Sequence, residues 1–103
     1  MSTLSPAVRK YLRGLAHHLE PVVRLGKNGV TDEFLGEVNQ ALDAHELIKL
    51  KFISFKEEKK TLAPEIAEKS RSELAGMIGN IAILYRQHYD QDKRKIHIPD
   101  ELR

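Results

Sequence analysis

The sequence predicts one two-layer α/β (α+β) domain, with the order α-β-α-β-α-β-β around a four-stranded mixed sheet. The chain has 103 residues, which is the usual size of a single domain. Stretches with helical apolar spacing alternate with short apolar runs that are typical of strands. A Gly-Asn pair separates the last two of these runs, as in a two-residue hairpin turn. Helices that alternate with strands pack around one sheet, which gives this fold class.

The first helix is predicted to begin at Ser5-Pro6 and to end near His18. Serine is a favoured N-cap, and proline is tolerated at the first helical position. Pro21 disfavours helical geometry at the residue before it, so the helix ends before that point. The helical spacing predicts one buried stripe of Val8, Leu12, Leu15 and Leu19.

A strand, a glycine loop and a second helix are predicted next. The segment PVVRL, residues 21–25, is short, branched and apolar, which favours a strand. Thr31 is a suitable N-cap for a helix that we expect to end near Ala44. The apolar face of this helix contains Leu35, Val38, Ala41 and Leu42. The two glycines before Thr31 therefore connect a strand to a helix.

Two further parts of the sheet are predicted from alternation and from turn chemistry. In LIKLKFI, residues 47–53, Lys49 and Lys51 alternate with apolar residues, as in a strand with one buried and one solvated face. The apolar residues expected to face the core are Ile48, Leu50 and Phe52. The pair Gly79-Asn80 predicts the turn of a closing hairpin.

A third helix is predicted between these strands, from about Leu62 or Pro64 to Arg71, burying an Ile-Ala pair. The end of the chain is polar and has no confidently predicted element. We therefore divide the chain into a domain of residues 1–86 and a polar tail of residues 87–103.

Composition and spacing exclude several classes of protein and site. No apolar run approaches the roughly 20 residues of a membrane-spanning helix, and the first twenty residues lack a signal peptide's apolar centre. The absence of cysteine excludes disulfides, thiolate metal sites and a cysteine nucleophile. His17 and His18 are adjacent, so on a helix they point about 100° apart and do not share a metal ion easily. We therefore expect a cytoplasmic, monomeric protein with no cofactor, metal site or catalytic residues.

The charged residues are segregated along the chain. Residues 1–30 carry five basic side chains and one acidic, whereas residues 31–46 carry five acidic side chains and no lysine or arginine. Residues 47–62 again carry five basic side chains, against two acidic. This segregation predicts a polarised surface, with its basic part around the glycine loop and the lysine-rich strand.

The loop Gly26-Lys27-Asn28-Gly29 is the strongest functional signal. In a strand-to-helix connection, glycines let the backbone approach a ligand, and N–H groups at a helix start can bind an anion. The pattern lacks the Lys-Ser or Lys-Thr pair of nucleotide-binding phosphate loops. A GxxG loop is also the device by which one single-stranded RNA-binding module clamps the backbone. A purely structural turn is the alternative, since GxxG occurs often by chance.

Residues 11–52 and 73–86 together resemble the bacterial YhbY family, the stand-alone form of the CRM (chloroplast RNA splicing and ribosome maturation) domain. The resemblance covers about Ser5 to Arg86. It depends on Leu-Ala-His-His before the first strand, Gly-Lys-Asn-Gly, Ala-His-Glu-Leu-Ile-Lys, and the Gly-Asn hairpin that leads to Leu-Tyr-Arg. It implies a fold similar to the C-terminal domain of translation initiation factor 3. It also implies RNA binding through the glycine loop and association with precursors of the large ribosomal subunit.

The resemblance implies RNA contacts at Gly26, Lys27, Asn28 and Gly29. Basic residues near the loop extend the expected surface: Arg9, Lys10, Arg13, Arg24, Lys49 and Lys51. The alternative for these is an ordinary solvated face, or lysines that protect a sheet edge. Phe55 is the one aromatic residue at the edge of the lysine-rich connection that could stack on a base.

A rival hypothesis is a protein-interaction module. In it the acidic helix of residues 31–46 docks onto a basic ribosomal protein or assembly factor, and RNA attraction is incidental. Charge reversal in that helix would weaken binding of the rival's partner and leave RNA binding intact or improve it.

Overall fold

The structure, a computed structural model, describes residues 4–103. Its helices are α1 (Pro6–Ala16), α2 (Asp32–His45) and α3 (Lys59–Lys69), and its strands are β1 (Pro21–Leu25), β2 (Leu47–Phe52), β3 (Glu73–Ile78) and β4 (Ile81–Tyr85). Short 3-10 turns lie at Lys56–Glu58, Gln91–Lys93 and Asp100–Leu102. The predicted fold class and order of elements are confirmed. Residues 1–3 of the predicted domain lie outside the described residues.

The four strands form one mixed sheet in the order β1-β2-β4-β3. β1 and β2 are parallel, because α2 carries the chain back to the starting side of the sheet between them. The other neighbouring strands are antiparallel, and β3 turns into β4 through Gly79-Asn80 as predicted. Gly79 has a φ of 57°, in the left-handed region that such a turn requires.

Helices α2 and α3 cover one face of the sheet and form the larger core. β2 contributes the three residues that its alternation predicts, Ile48, Leu50 and Phe52. α2 faces them with Phe34, Val38 and Leu42, while the predicted Leu35 and Ala41 are only partly buried. Thr31 caps α2 as predicted, since its Oγ1 accepts a hydrogen bond from the Phe34 N–H at 3.0 Å. This packing fixes where β1 ends and α2 begins, and therefore where the glycine loop lies.

The opposite face of the sheet, which the alternation in residues 47–53 predicts to be solvated, is partly covered by α1. The solvated area is therefore smaller than predicted. α1 buries Val8, Leu12 and Ala16 against residues of β2, β3 and β4. The prediction that Leu15 and Leu19 complete the buried stripe is wrong, because they are 39% and 38% exposed. Residues four apart lie on the same helix face, so Ala16 follows Leu12 on the stripe. The helix ends at Ala16, so Leu19 is not part of it.

α3 begins earlier than predicted. The expected start was about Leu62 or Pro64. Instead, a 3-10 turn leads directly into the helix at Lys59, and Pro64 lies inside it. Proline has no N–H and so removes one helical hydrogen bond, but the packing of Ala63, Ile66 and Ala67 on the sheet keeps the helix in place.

Residues 87–103, for which the sequence predicts no element, pack against the rest of the chain. Ile98 is buried beside α1, and the Tyr11 hydroxyl donates to the His97 carbonyl at 3.1 Å. The tail also surrounds Glu46, which is fully buried at the C-terminal end of α2. The division of the chain at residue 86 into RNA-binding domain and tail stays a prediction.

The Glu46 carboxylate fastens this tail by accepting three backbone N–H groups. Its Oε2 accepts from His88 at 2.6 Å, and its Oε1 accepts from Ile96 at 2.7 Å and from Lys95. Burial raises the pKa of this carboxyl, but the three donors and the nearby His88 ring more than offset burial, so the pKa is lowered. The fold therefore holds Glu46 in its charged form.

Candidate nucleic-acid interface

The glycine loop projects from the end of the sheet at which β1 and β2 both finish, here called the loop end. Three backbone hydrogen bonds hold this end together. The N–H groups of Ile53 and Ser54 both donate to the Leu25 carbonyl at 3.0 Å, and the Phe52 N–H donates to the Asn80 carbonyl at 2.7 Å. The loop therefore starts from a fixed edge, next to the segment that follows β2 and to the hairpin turn.

Within the loop, two hydrogen bonds close the backbone and leave its tip open. The Gly29 N–H donates to the Gly26 carbonyl at 3.1 Å, and the Thr31 N–H donates to the Gly29 carbonyl at 3.0 Å. Gly29 has a φ of 75°, which favours glycine at this position. Lys27 and Asn28 are exposed at the tip, and no residue in the described range 4–103 accepts a hydrogen bond from their backbone N–H groups. The tip thus presents two free N–H groups and one ammonium group.

The start of α2 is less open to an anion than the sequence suggests. Thr31 already satisfies the Phe34 N–H, and Asp32 and Glu33 in the first turn already complement the positive end of the helix dipole. Glu33 and Glu37 also line a shallow cleft beside the loop. The tip, rather than the helix start, is therefore the favourable position for a phosphate oxygen.

Arg24 and Lys51 flank the loop on the α1 side of the sheet. They are register partners in the parallel pair of β1 and β2, so their side chains lie next to each other on one face. Both are exposed. Among the residues that the structure describes, the single ion pair joins Arg86 to Asp43 at 2.9 Å. Neither Arg24 nor Lys51 therefore forms an ion pair with a described residue.

Lys49 continues this basic strip along β2, whereas Arg13 lies over β3 at the opposite edge of the sheet. The Lys49 Nζ donates to the His17 carbonyl at 3.4 Å, and the Arg13 Nη1 donates to the Ala75 carbonyl at 3.1 Å. Carbonyl partners orient these cations without cancelling their charge. Four of the predicted cations thus share one face of the sheet.

Arg9 and Lys10, predicted as part of the same surface, lie at the start of α1. The Arg9 Nη1 donates to the Leu4 carbonyl at 3.2 Å, which holds this side chain at the N-terminal end of the helix. Lys10 is exposed. These two residues are one to two helical turns behind Arg13 and Lys49, further from the loop.

Phe55 lies against the loop and was only a secondary candidate in the sequence. A Cβ placed on Gly29 would be 3.5 Å from the Phe55 Cζ, so the ring lies beside that glycine, where a side chain at residue 29 would touch it. The residue is 37% exposed and has a φ of 58°, which is unusual for a bulky side chain. The sequence signal was an aromatic residue inside the polar segment SFKEEKK.

The acidic helix of the rival hypothesis has fewer carboxylates available to a protein partner than its sequence suggests. Asp43 is paired with Arg86, which also donates to the Ser70 carbonyl and to Asn39. Glu46 is buried under the tail. The exposed acidic residues of residues 31–46 are thus concentrated beside the loop.

Residues 4–103 contain neither a cluster of metal ligands nor a membrane-spanning helix. No group of three or more histidine, cysteine, aspartate or glutamate side chains in this range is arranged to hold a metal ion. No helix within it has the length and apolar character needed to cross a membrane.

Known proteins resemble this chain over nearly its whole length. It is 41% identical over 100 residues to an RNA-binding protein of Haemophilus influenzae, an alignment that covers 96% of this chain and 98% of that protein. It is 36% identical to the Probable RNA-binding protein YqeI of Bacillus subtilis, over 88% of this chain and 94% of that protein.

A solved structure has the same fold. The solution structure of the hypothetical protein SAV1595 of Staphylococcus aureus, described as a candidate RNA-binding protein, superposes with a TM-score of 0.76 at 31% identity. The match covers 92% of this chain and all of that one. The family model of the CRS1 / YhbY (CRM) domain matches residues 4–86. The chain therefore belongs to the CRS1/YhbY (CRM) domain family.

Proposed function

We propose that this protein binds RNA through the tip of the loop Gly26–Gly29 and the basic strip behind it. The observation that carries the proposal is the open tip, where two backbone N–H groups have no acceptor among residues 4–103 and the exposed Lys27 lies near Arg24 and Lys51, neither of which forms an ion pair with a described residue. Phosphate oxygens are the natural acceptors for such donors. The names of the relatives as RNA-binding proteins support the same conclusion.

We further propose ribosomal RNA as the ligand and assembly of the large ribosomal subunit, in the cytoplasm, as the setting. This finer proposal follows from the likeness to the YhbY family and not from the geometry. It is a binding function, and it assigns the chain no catalytic step and no cofactor. Ribosomal proteins are the additional partners that such a role would allow.

The strip fits backbone recognition better than the reading of a base sequence. Its contacts would be Arg and Lys side chains and main-chain N–H groups, which hold phosphates whatever the base. Four to six such contacts would make the affinity fall steeply with salt, because each neutralised phosphate releases counterions. A binding curve that is flat between low and moderate salt would contradict the proposal.

The test is binding of large-subunit ribosomal RNA by the wild type and by the double variant Lys27→Asp, Asn28→Asp. Negative charge at the tip repels phosphate without touching the core, so we expect at least a tenfold loss of affinity with an unchanged unfolding midpoint. Gel-shift or anisotropy titrations and urea unfolding measure the two quantities.

A matched control variant is Lys69→Asp, Arg71→Asn, which changes the net charge by the same amount at the far end of the sheet. Both residues are exposed, and Arg71 has a φ of 55°, a conformation that asparagine tolerates. The control should bind nearly as well as the wild type. Equal binding by the loop variant and the wild type would make the loop a structural turn.

The same titrations distinguish RNA binding from the rival function, in which the acidic helix docks onto a protein. If the acidic helix docks onto a protein, charge reversal at Glu33 and Glu37 weakens capture of that partner but not RNA binding. Under the RNA hypothesis the reversal strengthens RNA binding, because these carboxylates line the cleft beside the tip.

A further inference from the structure

We propose that the Phe55 ring is a stacking platform for one unpaired base of the RNA held by the loop. This inference rests on the proposed function and specifies the kind of RNA that the site would bind. It names single-stranded RNA, or an unpaired base within structured RNA, as the ligand at this position. A duplex whose bases are all stacked offers nothing to the ring.

The first argument is position. The ring lies beside Gly29, 3.5 Å from the place where a Cβ on that residue would be, and the backbone before it is tied to the base of the loop, because the Ile53 and Ser54 N–H groups both donate to the Leu25 carbonyl. Gly29 also lines the shallow cleft beside the tip, so the cleft and the ring meet at that glycine. A nucleotide whose phosphate binds at the tip therefore has its base within reach of the ring.

The second argument is exposure. The other two phenylalanines are core residues, with Phe34 7% and Phe52 0% exposed, whereas Phe55 is 37% exposed. Ile53, also exposed, is two residues away. A partly exposed aromatic residue beside a loop that carries a cation is a combination by which proteins bind single-stranded nucleic acid.

The third argument is backbone strain. Phe55 adopts φ 58° and ψ 34°, and glycine or asparagine would take this left-handed conformation at lower cost. A bulky side chain at such a position is strained, and strain of this kind is concentrated at functional sites. A role as a mere support for the loop would be met by any apolar side chain that touches Gly29, so the variants below separate support from stacking.

The test uses Phe55→Leu and Phe55→Trp with a 12-nucleotide single-stranded RNA and with the same sequence as a duplex. Leucine keeps an apolar contact with Gly29 but has no π-face. We expect Phe55→Leu to bind the single strand about fivefold more weakly or worse, and to bind the duplex as the wild type does. Urea unfolding of the variant checks that the loop has not been destabilised.

Phe55→Trp adds a direct readout, because the natural chain contains no tryptophan. A base stacked on the indole quenches its emission, so saturating single strand should quench and duplex should not. The proposal is overturned if Phe55→Leu binds the single strand as well as the wild type, or if the emission of Phe55→Trp is unchanged at saturation.

The variant Lys27→Asp, Asn28→Asp separates the two proposals. If it loses binding to the single strand while Phe55→Leu does not, the loop binds RNA and the stacking proposal alone is wrong. If it binds as the wild type does, the loop site itself is wrong, and the stacking proposal is overturned together with it.

Discussion

Two places in this molecule bring backbone N–H groups together, and they differ in whether the chain itself supplies the acceptor. At Glu46 the chain supplies its own carboxylate, which accepts N–H groups from His88, Lys95 and Ile96 and is fully buried. At the loop tip, Lys27 and Asn28 are exposed, and no described residue accepts from their N–H groups. We call these the Glu46 clasp and the loop tip.

The difference separates stability from function. A buried, fully hydrogen-bonded carboxylate holds a segment in place, and its loss leaves three donors without partners. An exposed tip with unpaired donors contributes little to stability, since water satisfies them, but it is ready to accept a phosphate. Substitutions at the two places should therefore have opposite profiles, one affecting folding and the other affecting binding.

The largest effect is expected for Glu46→Ala. Removal of the carboxylate leaves three N–H groups of the tail unsatisfied, so we expect a loss of about 3 kcal/mol in the free energy of unfolding. Urea unfolding measures it, and Glu65→Ala on the exposed side of α3 is the control. Variants of the loop tip should lose less than about 0.5 kcal/mol. An equally stable Glu46→Ala would mean that the tail is not fastened by this residue.

A pH series tests the charge of the clasp. The folded pKa of Glu46 is lowered below its ordinary value of 4.5, so its contribution to stability is full above that value and is lost as the pH falls through the folded pKa. The wild type should therefore lose stability in acid more steeply than Glu46→Gln, which has no titrating group there. Urea midpoints at about pH 7 and about pH 3.5 give the comparison. Parallel pH dependence of the two proteins would contradict a charged clasp.

The sequence predicts the loop well and the clasp not at all, for physical reasons. Gly26 and Gly29 punctuate a strand and a helix, and such local signals are visible in the residues themselves. Glu46 looks like the last of five carboxylates on a solvated helix, and its partners are main-chain groups more than forty residues away. The one local signal in the sequence is that no glycine follows this helix. In the structure Glu46 takes the position where glycine is common, with a φ of 64°.

The buried stripe of α1 shows the same limit. Leu12 and Leu15 have equal hydrophobicity, and only the position of the helix on the sheet decides that Leu12 is buried and Leu15 is exposed. For the basic residues, sequence proximity gave one group of six cations. The strand register divides it, because it puts Arg24 beside Lys51 at the loop and leaves Arg9 and Lys10 at the far end of α1.

This division leads to the smallest expected effect. Arg24→Ala and Lys51→Ala should each weaken RNA binding and lower the slope of log affinity against log salt by about one, since each removes one phosphate contact. Salt-dependent titrations measure the slope, with Lys69→Ala as the control at the far end of the sheet. Neither variant should change the free energy of unfolding, measured with urea, by more than about 0.5 kcal/mol. If Lys10→Ala lowers the slope as much as Lys51→Ala does, the RNA extends along the whole of α1, and the binding surface is wider than the loop end.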